Sequence, residues 1–302
     1  MDYLYYPGCS SKGNGIAYEE SLKAVFDALD VRMDELPDWN CCGATSYMSV
    51  DEWKAVALAA RNLGLAERQA DGKDGVDMIA ACSACYLGLI RAQRYITDYP
   101  ELGKQVTAGL EAVGISFKNR VRIRHPLDVL MNDIGTERIA SRVKHKLAGM
   151  KVACYYGCQI VRPYATFDDQ QSPVMMDRLM AAIGAETVNW PLKTRCCGGS
   201  LSGTVPETGL RLSFILLKEA KKRGADVVAT ACPLCQFNLE CNQGEMRRLF
   251  GESLDLPVVY FTQLMGLAFG LPSRALGIQR LFIPLPAHLL SRVQEGGRNV
   301  RV

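Results

Sequence analysis

The sequence has no long apolar run, no strong excess of one charge and no leader-like N-terminus. No apolar stretch in its 302 residues approaches the ~20 residues that a transmembrane helix needs. Thirty-five Lys and Arg against 32 Asp and Glu leave +3, too little to indicate nucleic acid or an anionic membrane as a partner. A secretory signal peptide has a basic region followed by an apolar core, and residues 1–9 have neither. We therefore expect a cytoplasmic protein with no membrane span and no nucleic-acid partner.

The composition excludes a collagen, a coiled coil and a disordered chain. Hydrophobic residues make up 48% and charged residues 22% of the sequence, which is typical of a globular protein. The length allows two domains of ordinary size, each with its own core.

Cysteine is abundant, with twelve residues. In a reducing compartment, a dense and patterned set of thiols favours metal binding or redox chemistry over structural disulfides. Ten of these cysteines recur in two halves of the chain, at offsets of 149 to 155 residues. The surrounding residues repeat too: 5–9 match 155–158, 40–43 match 195–198, and 77–85 match 226–235. A period this long indicates a domain duplication rather than a solenoid, whose units are about 20–50 residues long.

Each half predicts the same order of strands and helices. Short apolar runs predict buried strands at 4–6, 76–80, 152–156 and 226–229. Helical patterns cover 18–29, 51–69, 175–183 and 207–223, with Asp51 placed as a cap and Gly224 as a stop. Alternating strands and helices predict an α/β fold with a parallel sheet, made twice. We expect a linker at 141–150, domains at 1–146 and 147–302, and a poorly ordered or partner-bound extension at 294–302.

The spacing of the cysteines separates them from common metal sites. Each half contributes one Cys, then an adjacent Cys-Cys pair, then Cys-x-x-Cys, whereas zinc takes four ligands and ferredoxins use a compact run. Adjacent side chains diverge, so Cys41 and Cys42 can reach different irons of a spread-out cluster. Five soft thiolates without ligand-like histidines indicate iron–sulfur chemistry. A zinc-stabilised scaffold and a set of simple buried thiols stay open as alternatives.

These motifs resemble the paired CCG domains of the B subunit of heterodisulfide reductase. The similarity includes the Cys-Cys-Gly blocks at 41–43 and 196–198 and spans nearly the whole chain. It also covers the non-cysteine context at 155–163, 176–179 and 231–236. The resemblance implies two similar CCG domains related by pseudo-twofold symmetry, each a small, mainly parallel sheet flanked by helices. Residues 6–13 are more similar to the bacterial, sulfur-metabolising heterodisulfide reductase-like type than to the methanogen type.

The resemblance also implies the cofactor and its ligands. Each domain of that family holds one noncubane [4Fe-4S] cluster bound by five cysteines. The first cluster is expected on Cys9, Cys41, Cys42, Cys82 and Cys85. The second is expected on Cys158, Cys196, Cys197, Cys232 and Cys235. Cys154 and Cys241 have no counterpart in the other half, so we interpret them as simple thiols.

The implied activity is that of an oxidoreductase acting on a sulfur group, as one subunit of a complex. A disulfide lies between the two clusters and is reduced or formed there. The implied partners are a ferredoxin-type protein similar to the C subunit of heterodisulfide reductase, a flavoprotein similar to its A subunit, and a disulfide or lipoate-bound sulfur as substrate. The alternative is an electron-transfer subunit of a flavoprotein complex that oxidises lactate, glycolate or succinate.

A few residues outside the thiol pattern are candidates for catalysis or substrate binding. His125 is a candidate proton donor for a leaving thiolate, against a structural histidine. Basic residues next to the ligand cysteines either balance cluster charge or bind an anionic substrate, against a solvated surface role. These residues are Lys12, Arg162, Lys193 and Arg195.

Several glycines beside the ligand cysteines are either turn residues or places where the backbone approaches cluster sulfides and donates N–H bonds. They are Gly8, Gly43, Gly157, Gly198 and Gly199.

Overall fold

The computed structural model describes residues 1–44, 46–70 and 75–290. The predicted extension at 294–302 lies outside these residues. The strands are β1 (Asp2–Tyr6), β2 (Arg32–Glu35), β3 (Val76–Ala80), β4 (Val121–Arg124), β5 (Lys151–Tyr155), β6 (Glu186–Thr187), β7 (Val227–Thr230) and β8 (Val258–Tyr260).

The helices alternate with these strands along the chain. They are α1 (Gly8–Ser11), α2 (Ile16–Ala28), α3 (Ser46–Val50), α4 (Glu52–Gln69), α5 (Ser83–Asp98), α6 (Pro100–Ala112), α7 (Pro126–Asp128), α8 (Thr136–Ser141), α9 (Met175–Ala182), α10 (Pro206–Lys222), α11 (Pro233–Cys241), α12 (Gln243–Phe250) and α13 (Phe261–Ala268). A π-helix covers Val129–Ile134, and 3₁₀ turns cover Gly199–Leu201 and Ile278–Arg280.

The strands form two four-stranded sheets with the same topology. The first has the order β2-β1-β3-β4 and the second β6-β5-β7-β8, and all pairings are parallel. The central strands are buried and apolar, as expected for parallel strands that helices cover. The predicted duplicated α/β fold is therefore confirmed.

The helix signals read from the sequence also match the structure. The Asp51 carboxylate accepts a hydrogen bond from the backbone N–H of Lys54 at 3.0 Å and caps α4. Gly224 follows α10 with a φ of +80°, the left-handed conformation in which glycine commonly ends a helix.

The contacts divide the chain into two compact units. Unit 1 comprises Met1–Gly13 and Val31–Pro126, and unit 2 comprises Asn14–Asp30 and the chain from Leu127 onward. Each unit contains one sheet. The domain boundary expected at 146/147 concerns the duplicated sequence and stays a prediction.

Helix α2 belongs to unit 2, although it comes from the first half of the chain. Tyr18 on this helix stacks on Tyr260 with ring centroids 4.5 Å apart. The hydroxyls of Ser21 and Thr262 form a buried hydrogen bond of 2.7 Å. Helix α2 thus packs against α13 and completes the core of the second sheet.

Candidate metal centres

Five thiols of unit 1 follow three neighbouring strands where those strands end. Cys9 comes directly after β1, and the Cys-Cys pair at 41–42 lies on the loop after β2. Cys82 is the N-cap of α5 after β3, and Cys85 lies in the first turn of that helix. In open parallel sheets, ligands bind beyond the carboxyl ends of the strands, which is where these thiols meet. We call these five cysteines the first thiol set.

Short contacts connect the members of the first thiol set. The Sγ atoms of Cys42 and Cys85 are 3.3 Å apart, and those of Cys9 and Cys41 are 4.0 Å apart. Hydrogen bonds also join Cys41 to Cys42 and Cys82 to Cys85. The sequence-predicted residues of the first set are thus brought together.

Unit 2 repeats this arrangement with Cys158, Cys196, Cys197, Cys232 and Cys235, which we call the second thiol set. The Sγ atoms of Cys197 and Cys235 are 3.5 Å apart. Hydrogen bonds join Cys158 to Cys196 and Cys232 to Cys235. The second predicted set is therefore also assembled at one edge of a sheet.

Backbone N–H groups of the Cys-Cys-Gly-Gly segment point at the second thiol set. The N–H of Gly198 donates to Cys196 Sγ and that of Gly199 to Cys197 Sγ, both at 3.3 Å. Such N–H···S bonds stabilise thiolates and tune the potential of a bound cluster.

Burial divides both sets in the same way. The second cysteine of each Cys-Cys pair and both cysteines of each Cys-x-x-Cys motif are buried. Cys9, Cys41 and Cys196 are exposed, and Cys158 is half-buried. Each set therefore has three thiols in the protein interior and two that are exposed or half-buried, which we call its open pair.

The pKa values of the thiols differ strongly between members of the two sets. The hydrogen bond with Cys158 lowers the pKa of Cys196 to about 6, against the effect of burial. Hydrogen bonds to neighbouring thiols and burial raise the pKa of Cys85 and of Cys235 well above the ordinary value. Repulsion between adjacent thiolates keeps most thiols of a crowded set protonated, so that only a few of them carry a negative charge. Bound cations remove that repulsion and stabilise all the thiolates.

Glycine leaves space beside a buried thiol in each set. A Cβ on Gly8 would lie 2.9 Å from Cys85 Sγ, and one on Gly157 would lie 3.3 Å from Cys235 Sγ. Both glycines have a positive φ, of +69° and +71°. A side chain at either position would both strain the backbone and fill the thiol pocket.

Two tyrosines that the sequence reasoning did not single out belong to these sites. The hydroxyl of Tyr6 donates to the carbonyl of Asn40 at 2.7 Å, and that of Tyr155 donates to the carbonyl of Arg195 at 2.6 Å. Each carbonyl belongs to the residue just before a Cys-Cys pair. Their equal offset of three residues before Cys9 and Cys158 is the signal that could have found them.

Lys12 and His125, the candidate catalytic residues, occupy different environments in unit 1. The Lys12 ammonium pairs with Glu35 at 3.2 Å, and both side chains are partly exposed. His125 is fully buried, and its ring meets Tyr86, the residue after Cys85, edge to face at 5.7 Å. Their catalytic roles stay predictions.

The basic residues of unit 2 next to the second thiol set differ in their partners and in their exposure to solvent. Lys193 pairs with Asp177 at 2.9 Å, and Arg162 donates to the carbonyl of Thr194. Arg195 is exposed beside the exposed Cys196.

The two cysteines without a repeat partner lie within a strand and at the end of a helix. Cys154 is fully buried in β5, and burial raises its pKa well above the ordinary value. Cys241 ends α11, where burial raises its pKa to about 11.

Two features are absent from the described part of the chain. Within it, no three His, Cys, Asp or Glu side chains are arranged to hold a single metal ion. Among the same residues, no helix combines the length and apolar character that crossing a bilayer requires.

The donor sets fit an iron–sulfur cluster. Each set has five soft thiols, a thiol-facing glycine at the position of Gly8 or Gly157, and a thiol arrangement spread over three loops. A cluster with several irons needs its ligands spread in this way rather than converging on one point. Fold and sites together define a duplicated cysteine-rich α/β protein of the iron–sulfur class.

Comparisons with known proteins identify the family. The domain family described as CCG, cysteine-rich domain, matches residues 3–90 and 152–240. The chain is 30% identical over 281 residues to the B subunit of the ferredoxin/F420H2-dependent CoB-CoM heterodisulfide reductase of Methanosarcina acetivorans, covering 91% of each chain. The protein therefore belongs to the family of heterodisulfide reductase B subunits and is an iron–sulfur redox subunit.

Two further proteins are similar to this chain. It is 29% identical over 279 residues to the 8-methylmenaquinol:fumarate reductase membrane anchor subunit of Wolinella succinogenes, covering 92% of this chain and 95% of the other. The crystal structure of a hypothetical protein from Helicobacter pylori matches with a TM-score of 0.74 at 14% identity. That match covers 95% of this chain and 52% of the other, and it supports the fold alone.

Proposed function

We propose that this chain is the subunit of a heterodisulfide reductase-like complex that reduces a disulfide or, in the reverse direction, forms one. The observation that carries the proposal is the open pair of each thiol set, at Cys9 and Cys41 and at Cys158 and Cys196. A sulfur substrate needs access to the metal site, whereas electron relay through protein does not.

The ten cysteines of the two thiol sets would hold two noncubane [4Fe-4S] clusters. When bound, the clusters supply one-electron transfer and iron sites with affinity for sulfur. The protein's part is to hold the thiolates apart, to keep water from the buried ones and to leave space for the cluster beside Gly8 and Gly157. Lys12 and His125 are the candidate catalytic residues for charge balance and proton delivery.

The proposed reaction consumes a disulfide, two electrons and two protons and yields two thiols. The electrons would come from a ferredoxin-type partner similar to the C subunit of heterodisulfide reductase and from a flavoprotein similar to its A subunit. The relative from Methanosarcina acetivorans is named for the CoB-CoM heterodisulfide. For this chain we propose a disulfide or lipoate-bound sulfur of the bacterial, sulfur-metabolising type, in the cytoplasm, with domains at 1–146 and 147–302.

A second candidate is electron transfer alone, within a flavoprotein oxidoreductase complex. The 29% identity to a subunit of a fumarate reductase favours it. In that case the clusters would pass electrons, and the open pairs of thiols would have no substrate.

The test starts with the chain purified or reconstituted without oxygen. Two [4Fe-4S] clusters require about eight irons and as many acid-labile sulfides per chain, and zinc without iron would end the proposal. Reduction of a lipoate-type disulfide by a reduced viologen is then measured. A Cys42→Ser, Cys197→Ser double variant is the control. Electron transfer alone would be the function if the chain binds both clusters but does not reduce the disulfide. In that case the EPR spectrum of the clusters would also not change when the reduced, dithiol form of the substrate is added.

A further inference from the structure

The same hydrogen bond occurs once in each unit, next to the Cys-Cys pair. Tyr6 is the last residue of β1 and Tyr155 the last of β5, and both side chains are fully buried. Their hydroxyls donate to the carbonyls of Asn40 and Arg195, at 2.7 and 2.6 Å. The two halves have diverged at most positions since the duplication, and the retention of this bond in both units points to a role at the thiol sites.

Each tyrosine ring lies close to the thiol set of its own unit, beside the glycine that faces a buried thiol. A Cβ on Gly8 would be 3.4 Å from Cε1 of Tyr6, and one on Gly157 would be 3.8 Å from Cε1 and from the hydroxyl of Tyr155. Because a carbonyl oxygen can only accept a hydrogen bond, each tyrosine hydroxyl is the donor.

The other side chains that hold the two loops differ between the units. In unit 1, Nδ2 of Asn62 also donates to the Asn40 carbonyl, at 3.0 Å. In unit 2, Nδ2 of Asn238 donates to the carbonyl of Cys197 instead, at 2.7 Å. The tyrosine bond is the contact that both loops share.

We propose that Tyr6 and Tyr155 are positioning residues that fix the peptide before each Cys-Cys pair and thereby set the redox properties of the cluster in their own unit. The inference rests on the proposed cluster binding. Because the peptide is planar and trans, holding its carbonyl also fixes the direction of the N–H of Cys41 or Cys196. Peptide dipoles and N–H groups near cluster sulfurs are what tune cluster potentials.

The test compares Tyr6→Phe, Tyr155→Phe and the double variant in the full, cluster-loaded chain. Phenylalanine keeps the ring and removes the donor. We expect full iron and sulfide content, with a shifted midpoint potential and EPR spectrum for one cluster in each single variant and for both in the double variant. Tyr156→Phe is the matched control, because it removes a hydroxyl that is equally buried but bonds to Asp177 at 2.6 Å.

The outcomes separate this inference from the proposed function. If the wild-type chain binds no iron–sulfur cluster, the proposed function fails. If loaded Tyr6→Phe and Tyr155→Phe have wild-type potentials and spectra, or change only as Tyr156→Phe does, the positioning role is wrong. Circular dichroism identifies a variant that does not fold, and the other unit's variant then carries the test. If neither folds, the tyrosines stabilise the fold instead, which also overturns the inference.

Discussion

A buried carboxylate on α11 makes the stability of unit 2 depend on pH. Glu240 is 1% exposed and lies on the helix that begins next to Cys232. Its oxygens accept hydrogen bonds from the side chain of Gln236 at 2.6 Å and from the backbone N–H of Phe282 at 3.2 Å. Backbone N–H groups of Val258 and Ile283 lie at 3.4 Å. Glu240 therefore connects α11 to β8 and to the segment that follows residue 280.

Burial raises the pKa of Glu240 from 4.5 to about 7, and the N–H donors oppose this effect only in part. Between these two values the folded protein holds a proton that the unfolded chain has already lost. The free energy of unfolding must therefore fall as the pH rises through this window. A shift of this size corresponds to about 3 kcal/mol, at 1.36 kcal/mol per pH unit. Well above pH 7, where Glu240 is deprotonated in both states, the penalty is constant.

The measurement is denaturant unfolding between pH 5 and 8 for the wild type and Glu240→Gln, whose side chain has no proton to lose in this range. The wild type is expected to lose stability relative to the variant over this range, with most of the loss complete by pH 7. Glu245→Gln on α12 is the control, because that carboxylate is partly exposed and pairs with Arg248. Parallel curves for wild type and Glu240→Gln would refute the reasoning, since they require an ordinary pKa for Glu240.

The remaining predictions concern the thiol sets. Cys42→Ser and Cys197→Ser are each expected to lose about half of the iron, because each set lies in its own unit; loss of all iron in either variant would contradict independent sites. Cys154→Ser and Cys241→Ser are expected to keep full iron and sulfide, and a marked loss from Cys154→Ser would mean that Cys158 is not the first ligand of its set. Gly8→Ala is expected to lower iron content, because its Cβ would lie 2.9 Å from Cys85 Sγ; full content in a folded variant would show that the pocket adapts.

The repeat made the cysteine sets, the two central strands of each sheet and the parallel α/β fold predictable, but not the outer strands β2, β4, β6 and β8 or the strand order. Cysteines at matching offsets reveal a duplication, and short apolar runs before them predict strands whose ends bring the thiols together. The repeat does not predict that α2 packs in unit 2. Its apolar face is visible in the sequence, but the choice of α13 as its neighbour rests on contacts such as Tyr18 with Tyr260, which are distant in sequence. Local periodicity carries no information about such a partner.

The hydrogen bonds around the loops are not predictable from the sequence for a related reason. The apolar run at 4–6 places Tyr6 in a buried strand, and its burial confirms that placement. What the pattern does not contain is the acceptor, a backbone carbonyl 34 residues further along the chain. Backbone groups are present at every residue, so only the folded loop selects which one a buried hydroxyl meets.

Similarity of about 30% both to one subunit of a heterodisulfide reductase and to one of a fumarate reductase means that the shared fold and thiol pattern do not decide between the two chemistries. The two units of this chain differ at the residue just before the Cys-Cys pair. The amide nitrogen of Asn40 donates to the carbonyls of Cys41 and of Leu58 on α4, and its oxygen accepts from Arg61, whereas Arg195 at the equivalent position is exposed. The residue before the Cys-Cys pair is therefore a hydrogen-bonded amide in one set and an exposed cation in the other. An electron relay makes no use of an exposed cation at this position, whereas an anionic group on a sulfur substrate would bind beside Arg195.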